Sequence, residues 1–386
     1  MDGLWARIDY VLKHSAFVSK GFRLLAGAAV RTMGLFTPMD EKSVLFSAQS
    51  RKYNDSPRAI YERMLADPRF NDYTFYWALD GAESPEAPDR CIRVVPDTLN
   101  YFRTALRCKY WITCVNIERS LRFKRKKTVY LNTWHGIPIK TVGNCAKGRA
   151  DFDFSYVDYF CISGEYEVDL YKRSFNVPRE HIIRTGLPRN DVLYRAGDVD
   201  GAALRRKLGL PLDKKVILYA PTWRDSRDGG KSYSIAPPMD LAKWERMLGG
   251  DYVLLFRTHP YTNALLGVHF DDFALDFSDY PNVTDLLLAA DILISDYSAV
   301  MFDYSILERP IVSFAYDCEE YGRERGFAID PRAELPGGVE ATEDAVIDRI
   351  LHMDYAAEIA AVRRFREKYV AYGGRATEAC IEALFG

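Results

Sequence analysis

The sequence is poor in cysteine. Its seven cysteines, at 91, 108, 114, 145, 161, 318 and 380, are odd in number and form no CxxC pair. Neither a disulfide framework nor a structural zinc site fits that pattern, so reduced thiols are expected. An excess of either charge is also missing. Lys and Arg number 52 against 54 Asp and Glu, a balance of −2, which gives no global basic field for nucleic acid. Long apolar runs are absent. The longest aliphatic stretch runs only from Leu24 to Val30, whereas a spanning helix needs about 20 apolar residues. There is no P-loop lysine motif, no GxGxxG loop, no GxSxG elbow and no HExxH helix, which removes the common nucleotide, hydrolase and zinc-protease signatures. Internal repeats and low-complexity tracts are lacking too.

What is present is the composition of a folded protein, 48% hydrophobic and 27% charged over 386 residues. That length suggests two domains. Residues 1–36 stand apart. Arg7, Lys13, Lys20, Arg23 and Arg31 oppose only Asp2 and Asp9, for a net +3. Between them lie Val11, Leu12, Phe17, Val18, Phe22, Leu24, Leu25, Val30, Leu35 and Phe36, most of which helical spacing gathers on one side. Such a basic amphipathic helix suits a membrane interface; the alternative is a helix packed on the folded body. A signal peptide fits less well, because Lys20 and Arg23 interrupt any apolar core.

From residue 43, short apolar runs alternate with longer polar or amphipathic stretches. Strands are expected at Ser43–Ala48, Tyr73–Leu79, Tyr110–Val115, Val129–Thr133, Tyr159–Ile162 and Ile182–Thr185. Further strands are expected at Val216–Ala220, Tyr252–Arg257, Ile292–Ser295 and Ile311–Phe314. Continuous rather than alternating apolarity predicts strands buried on both faces of parallel sheets, hence an α/β fold. Gly, Pro and charge cluster at 195–213, which predicts a boundary there. The expected division is a helical segment 1–36, a Rossmann-like domain 37–200 and a second one 201–386.

Ligands in such sheets bind beyond the carboxyl ends of the strands, so residues just after strands carry most weight. Thr133-Trp134-His135-Gly136-Ile137-Pro138-Ile139-Lys140 sets an imidazole beside a flexible backbone. A helix starting near Pro138 would offer free N–H groups to an anion; a turn whose His bonds a carbonyl is the plainer alternative. Thr185-Gly186-Leu187-Pro188-Arg189-Asn190-Asp191 presents a guanidinium, either to phosphate or to Asp191 across the turn. Tyr219-Ala220-Pro221-Thr222-Trp223-Arg224 leaves the Thr222 hydroxyl and the Trp223 ring after a strand. Arg257-Thr258-His259-Pro260 places a cation, a hydroxyl and an imidazole at a strand end. In Ser295-Asp296-Tyr297-Ser298-Ala299-Val300-Met301-Phe302-Asp303, the residues Ser295, Asp296 and Ser298 are expected to cap a helix from about Ser298. Asp303 would hold a ribose, a hydroxyl or a basic residue. Asp151-Phe152-Asp153 looks like a metal-binding DxD but does not clearly follow a strand and reads as a solvated loop.

Taken in order, the blocks TWHGIPIK, GLPRND, YAPTWR, RTHP and DLLLAADILISDYSAVMFDYSILERPIVSFAYD resemble the CDP-glycerol glycerophosphotransferase family. Its enzymes build glycerol-phosphate teichoic acids and related capsule polymers. The blocks span 129–317. They depart from the usual TWHGTP and SDYSS at Ile137 and Ala299, each of which removes a hydroxyl. The resemblance implies a GT-B-like architecture of two doubly wound domains facing a central cleft, with the donor bound mostly by the C-terminal half. It implies transfer of glycerol phosphate from CDP-glycerol to a hydroxyl of a lipid-linked or polymeric glycan acceptor, with release of CMP. CDP-ribitol, or a nucleotide sugar in a GT-B glycosyltransferase, is the alternative donor. A non-catalytic scaffold at the membrane is the alternative class.

Under that reading His135 and His259 are the catalytic candidates, with His135 as base. Arg189, Arg257 and His259 clamp the diphosphate. Gly136, Ile137, Pro138, Ile139, Pro221, Thr222, Thr258, Ser298, Ala299 and Asp303 complete the substrate contacts. With these groups handling the charge, neither cofactor nor metal is required. The expected location is the cytoplasmic membrane face, held peripherally on an anionic surface, with no nucleic-acid partner. The segment Arg119-Ser120-Leu121-Arg122-Phe123-Lys124-Arg125-Lys126-Lys127 is expected to add six basic residues to that attachment.

Overall fold

In the computed structural model the described residues are 16–80, 90–149, 151–222, 224, 238–258 and 269–386, with the side chains described from 21 onward. By packing, the chain forms two compact units. One comprises Met1–His135, Tyr156–Cys161 and Thr377–Gly386; the other comprises Gly136–Ser155 and Ile162–Ala376.

The first unit is built on parallel strands β1 (Asp40–Ser47), β2 (Thr74–Ala78), β3 (Ile92–Val94), β4 (Cys108–Thr113), β5 (Val129–Asn132) and β6 (Tyr159–Cys161), side by side in the order β3-β2-β1-β4-β5-β6. Val44, Leu45 and Phe46 of β1 are all fully buried, as continuous apolar strands covered on both faces should be. Phe46 stacks on Trp77 at 5.3 Å, with Tyr61 edge-on to both. The final helix, Ala376–Phe385, sends Phe385 against Tyr110 and Phe70.

A helix over Ala16–Phe36 belongs to this unit. It packs through small residues: Gly27 faces the carbonyl of Leu121, and Gly34 faces the Leu106 side chain. Phe22, Leu24, Leu25, Leu35 and Phe36 are exposed. At about 3.6 residues per turn these five share one side. The expected apolar face therefore exists, but small residues rather than the large ones make the internal contact. Residues 1–15 of the expected segment lie outside the described residues.

The second unit contains β7 (Ile182–Ile183), β8 (Lys215–Tyr219), β9 (Tyr252–Phe256), β10 (Ala274–Asp276), β11 (Ile292–Ser295) and β12 (Ile311–Ser313). The last five form a parallel sheet in the order β10-β9-β8-β11-β12. The expected boundary stretch 195–213 lies between β7 and β8, just before the first strand of this five-stranded sheet. It holds the helical pieces Ala196–Asp198 and Gly201–Lys207, beside buried Leu204, Leu208 and Leu210.

Candidate active site

His135 sits three residues past β5. Its Nδ1 lies 2.8 Å from the carbonyl oxygen of Cys114. A carbonyl only accepts, so Nδ1 is the protonated nitrogen and Nε2 carries the lone pair in the neutral ring. The approach to His135 is tightly held. Trp134 adopts φ of +55°, its N–H donates to Asn132 Oδ1 at 2.8 Å, and its ring lies 4.1 Å from the imidazole. A non-glycine residue in the left-handed region costs energy and persists where its surroundings hold it.

Beyond His135 the chain enters the second unit. No helix begins at Pro138. Ile137 and Ile139 are buried in the apolar core, and the backbone pairs instead with the Gly326–Ala328 segment. Ala328 N donates to Ile139 O at 2.8 Å, and Thr141 N to Gly326 O at 3.0 Å. The expected anion site at a helix start there is therefore not formed. Pro138 is buried as well.

Gly136 has little room for a side chain. A Cβ built on it would lie 2.7 Å from the Ala299 Cβ and 3.2 Å from Arg189 Nη2. Three of the blocks singled out in the sequence thus meet at one glycine. The Asp191 carboxylate accepts from Ala376 N. Arg189 donates to Asp303 Oδ2 at 2.8 Å, while Asn190 donates to Oδ1 at 2.6 Å. Of the three roles open to Asp303, holding a basic residue is the one observed. Asn190, not singled out from sequence, completes that carboxylate.

The remaining residues gather at the carboxyl ends of the adjacent strands β8, β9 and β11. Pro221 and Thr222 follow β8. Thr222 N donates to Asp296 Oδ1 at 2.7 Å, and its hydroxyl oxygen is buried without a protein partner among the described residues. Arg257 follows β9 and donates to the carbonyls of Phe277 and Tyr280 at 3.0 and 2.5 Å; burial pushes its guanidinium below the ordinary arginine value. Thr258 is buried, with its N–H donating to Ser278 Oγ at 3.2 Å. His259, like Trp223, lies outside the described residues.

After β11 the expected capping differs. The helix begins at Val300 and runs only to Ser305, with Ala299 at its N-cap. Ser295 Oγ donates to Ala220 O, and Asp296 accepts from Thr222 N and Tyr297 N. Both side chains therefore serve the neighbouring strand end rather than the helix. Ser298 Oγ alone stays near the helix start, 3.4 Å from Val300 N.

Arg224 was passed over in the sequence although it ends the YAPTWR block. Its guanidinium pairs with Asp296 and Asp317, each at 2.8 Å, and lies within 5.5 Å of the ring centroids of Tyr297, Tyr316 and Tyr321. Burial alone would depress it; the two carboxylates hold it above its ordinary value. The signal available was two aspartates, Asp296 and Asp317, each just after a strand. Asp151 pairs with Arg149 and Asp153 caps Ser155, as a loop reading requires.

The basic segment 119–127 is less free than its charge suggests. Arg119 pairs with Asp97, Lys124 with Asp158, and Arg125 donates to the carbonyls of Thr37 and Leu106. Phe123 is buried. Arg122, Lys126 and Lys127 remain exposed along with Arg119.

Residues 29–386 match the model of the CDP-Glycerol:Poly(glycerophosphate) glycerophosphotransferase family. The chain belongs to this family. It is 32% identical to the teichoic acid glycerol-phosphate transferase of Staphylococcus aureus, over 94% of this chain and 98% of that one. It is 33% identical to the teichoic acid poly(glycerol phosphate) polymerase of Staphylococcus epidermidis over 86% of this chain, but spans only about half of that protein, 48%. Among solved structures, the wall teichoic acid polymerase TagF in a variant with CDPG superposes with a TM-score of 0.83 at 28% identity, covering 95% of this chain and 97% of that one. The fold is accordingly α/β and GT-B-like, and the chain is a glycerophosphotransferase of teichoic-acid synthesis. Among the described residues no helix is long and apolar enough to cross a membrane.

Proposed function

We propose that this family member transfers glycerol phosphate from CDP-glycerol to a hydroxyl of a lipid-linked or polymeric glycan acceptor, with CMP as the leaving group. His135 acts as general base. The observation that carries the reading is its Nδ1–H bond to the Cys114 carbonyl, which orients the ring and leaves Nε2 able to take the acceptor's proton. A positioned base of this kind contributes roughly 10²–10⁴-fold. In-line attack on the β-phosphorus then expels CMP, and the work of the site is positioning and charge stabilisation.

Arg189, oriented by Asp303, supplies a fixed cation toward the diphosphate. The Thr222 hydroxyl, buried without a protein partner among the described residues, supports a donor role toward the same ligand. Arg257, Thr258, Ser298 and His259 are assigned to the donor on their strand-end positions. The exposed apolar side of Ala16–Phe36, with exposed Arg31 on the same helix and exposed Arg122, Lys126 and Lys127 elsewhere in this unit, supports peripheral attachment to an anionic cytoplasmic membrane face.

The deciding experiment is a donor screen. Purified protein is incubated with a lipid-linked acceptor and CDP-glycerol, CDP-ribitol, or UDP- and GDP-sugars, and nucleotide release is measured. Acceptor-dependent CMP release with CDP-glycerol is expected to exceed all other arms. Faster turnover of CDP-ribitol, or release of UDP or GDP, would overturn the donor assignment.

A further inference from the structure

Behind the Gly136 turn lies a buried pair that the reaction as described does not use. Glu167 stands in the first turn of the helix Tyr166–Phe175 and is 1% exposed. One of its carboxyl oxygens, Oε2, accepts from the N–H groups of Ser163 and Gly164, at 2.5 and 3.2 Å. The other, Oε1, meets the hydroxyl of Tyr171, one helical turn on. That hydroxyl also lies 3.5 Å from the carbonyl oxygen of Gly136. A phenol has one proton to give. It can be spent on Glu167 or on Gly136, not on both.

We propose that Glu167 and Tyr171 are positioning residues, and that a proton on Glu167 decides whether Tyr171 anchors the peptide following His135. When Glu167 is protonated, its O–H donates to the Tyr171 oxygen, and the Tyr171 proton turns to the Gly136 carbonyl. When Glu167 is ionised, its proton has gone to solvent, Tyr171 donates to the carboxylate, and phenol lone pairs face the Gly136 oxygen. The second arrangement loosens a turn so close to Ala299 and Arg189 that a Cβ on Gly136 would crowd both. The proposal rests on the assignment of His135 as base.

The groups facing Glu167 favour a switch at neutral pH. Burial raises the carboxyl most. The Tyr171 hydroxyl and the Ser163 and Gly164 amides oppose that, and the Asp303 charge adds to it, leaving the group pushed up to about 7. Tyr166 and Arg189 face Tyr171, which burial holds in its neutral form. A carboxyl raised in the folded state gives stability that is complete below its unfolded value near 4.5 and is lost as pH rises through about 7.

The test is the pH dependence of CMP release between about pH 5.5 and 9 for wild type, Glu167→Gln and Tyr171→Phe. Wild type should give a bell whose acid limb is the deprotonation of His135 and whose alkaline limb is that of Glu167. Glu167→Gln mimics the protonated acid, since its amide can donate to Tyr171; it should keep the acid limb and kcat at the maximum, and lose the alkaline limb. Its thermal stability should gain on wild type as pH rises from about 4.5 to about 7 and keep that lead, without further growth, above it. Tyr171→Phe should lower kcat about two- to tenfold with an unchanged KM for CDP-glycerol, and also lose the alkaline limb. A merely structural pair would shift unfolding temperatures and leave the limb in place. An alkaline limb in Glu167→Gln that coincides with wild type overturns the proposal; should that variant not fold, the same limb in Tyr171→Phe does so. Failure of the His135 reading shows separately, as full turnover by His135→Ala.

Discussion

At Gly136 a single methyl group should disturb the candidate site. Its φ is +134°, a region L side chains rarely adopt, and the space for a Cβ is already taken by Ala299 and by Arg189. Gly136→Ala is expected to cost about 1–3 kcal/mol of stability through backbone strain and to reduce turnover through displacement of Arg189. Adding Ala299→Gly should recover the steric part but not the part due to φ. Denaturant titration and CMP release on the two single variants and the double variant separate these contributions. If Gly136→Ala matches wild type in both, the turn is not the constraint it looks to be. The Ala299 Cβ is the atom that would meet a side chain on Gly136, so the contact needs no hydroxyl at 299.

At the scale of elements, the sequence was legible wherever burial on both faces dictated continuous apolarity. Ile292–Ser295 was placed without error, and Val129–Thr133 and Tyr252–Arg257 each ran one residue too long. The strands missed are β3, Ile92-Arg93-Val94, and β10, Ala274-Leu275-Asp276; both lie at the edge of their sheets, where short, partly polar strands carry little periodic signal. The helix start at Pro138 and the capping roles of Ser295 and Asp296 were misread because a capping residue is local, whereas the partners that won, Gly326–Ala328 and the β8 strand end, are distant in sequence. Within the candidate site, strand-end residues were named by their position alone, whereas the pairing of Asp303 with Arg189, and Arg224 among three tyrosines, needed the tertiary structure. The N-terminal helix allows a cleaner test than truncation, since its packing face is Gly27, Val30 and Gly34 and its exposed face is separate. Replacing Leu25, Leu35 and Phe36 with Ser should leave thermal stability within about 0.5 kcal/mol while reducing sedimentation with anionic vesicles. Equal vesicle binding by variant and wild type at low and high salt would sink the attachment reading.

For the whole molecule, the sites fall unevenly on the two packed units. His135 belongs to the first, held by Cys114, Trp134 and Asn132, whereas Arg189, Thr222, Arg257, Ser298 and Asp303 belong to the second. Chemistry and donor binding should therefore separate under mutation. A general base acts only once the reacting atoms move, so His135→Ala should lower kcat by about 10²–10⁴-fold while leaving the Kd for CDP-glycerol within about twofold. In its proposed role Arg189 would meet a diphosphate charge that is present before and during the reaction, so its loss should weaken the ground state as well. Arg189→Ala is expected to raise that Kd by about 10- to 100-fold, the range of a lost charge-assisted hydrogen bond. Arg189→Lys should restore little, because a point charge cannot keep the Asp303 contact and reach the ligand in the same planar geometry. Calorimetric titration with CDP-glycerol, beside initial rates of CMP release, measures both quantities on each variant. Should His135→Ala lose donor affinity as much as Arg189→Ala does, the imidazole is a donor contact rather than the base, and the proton must leave the acceptor by another route.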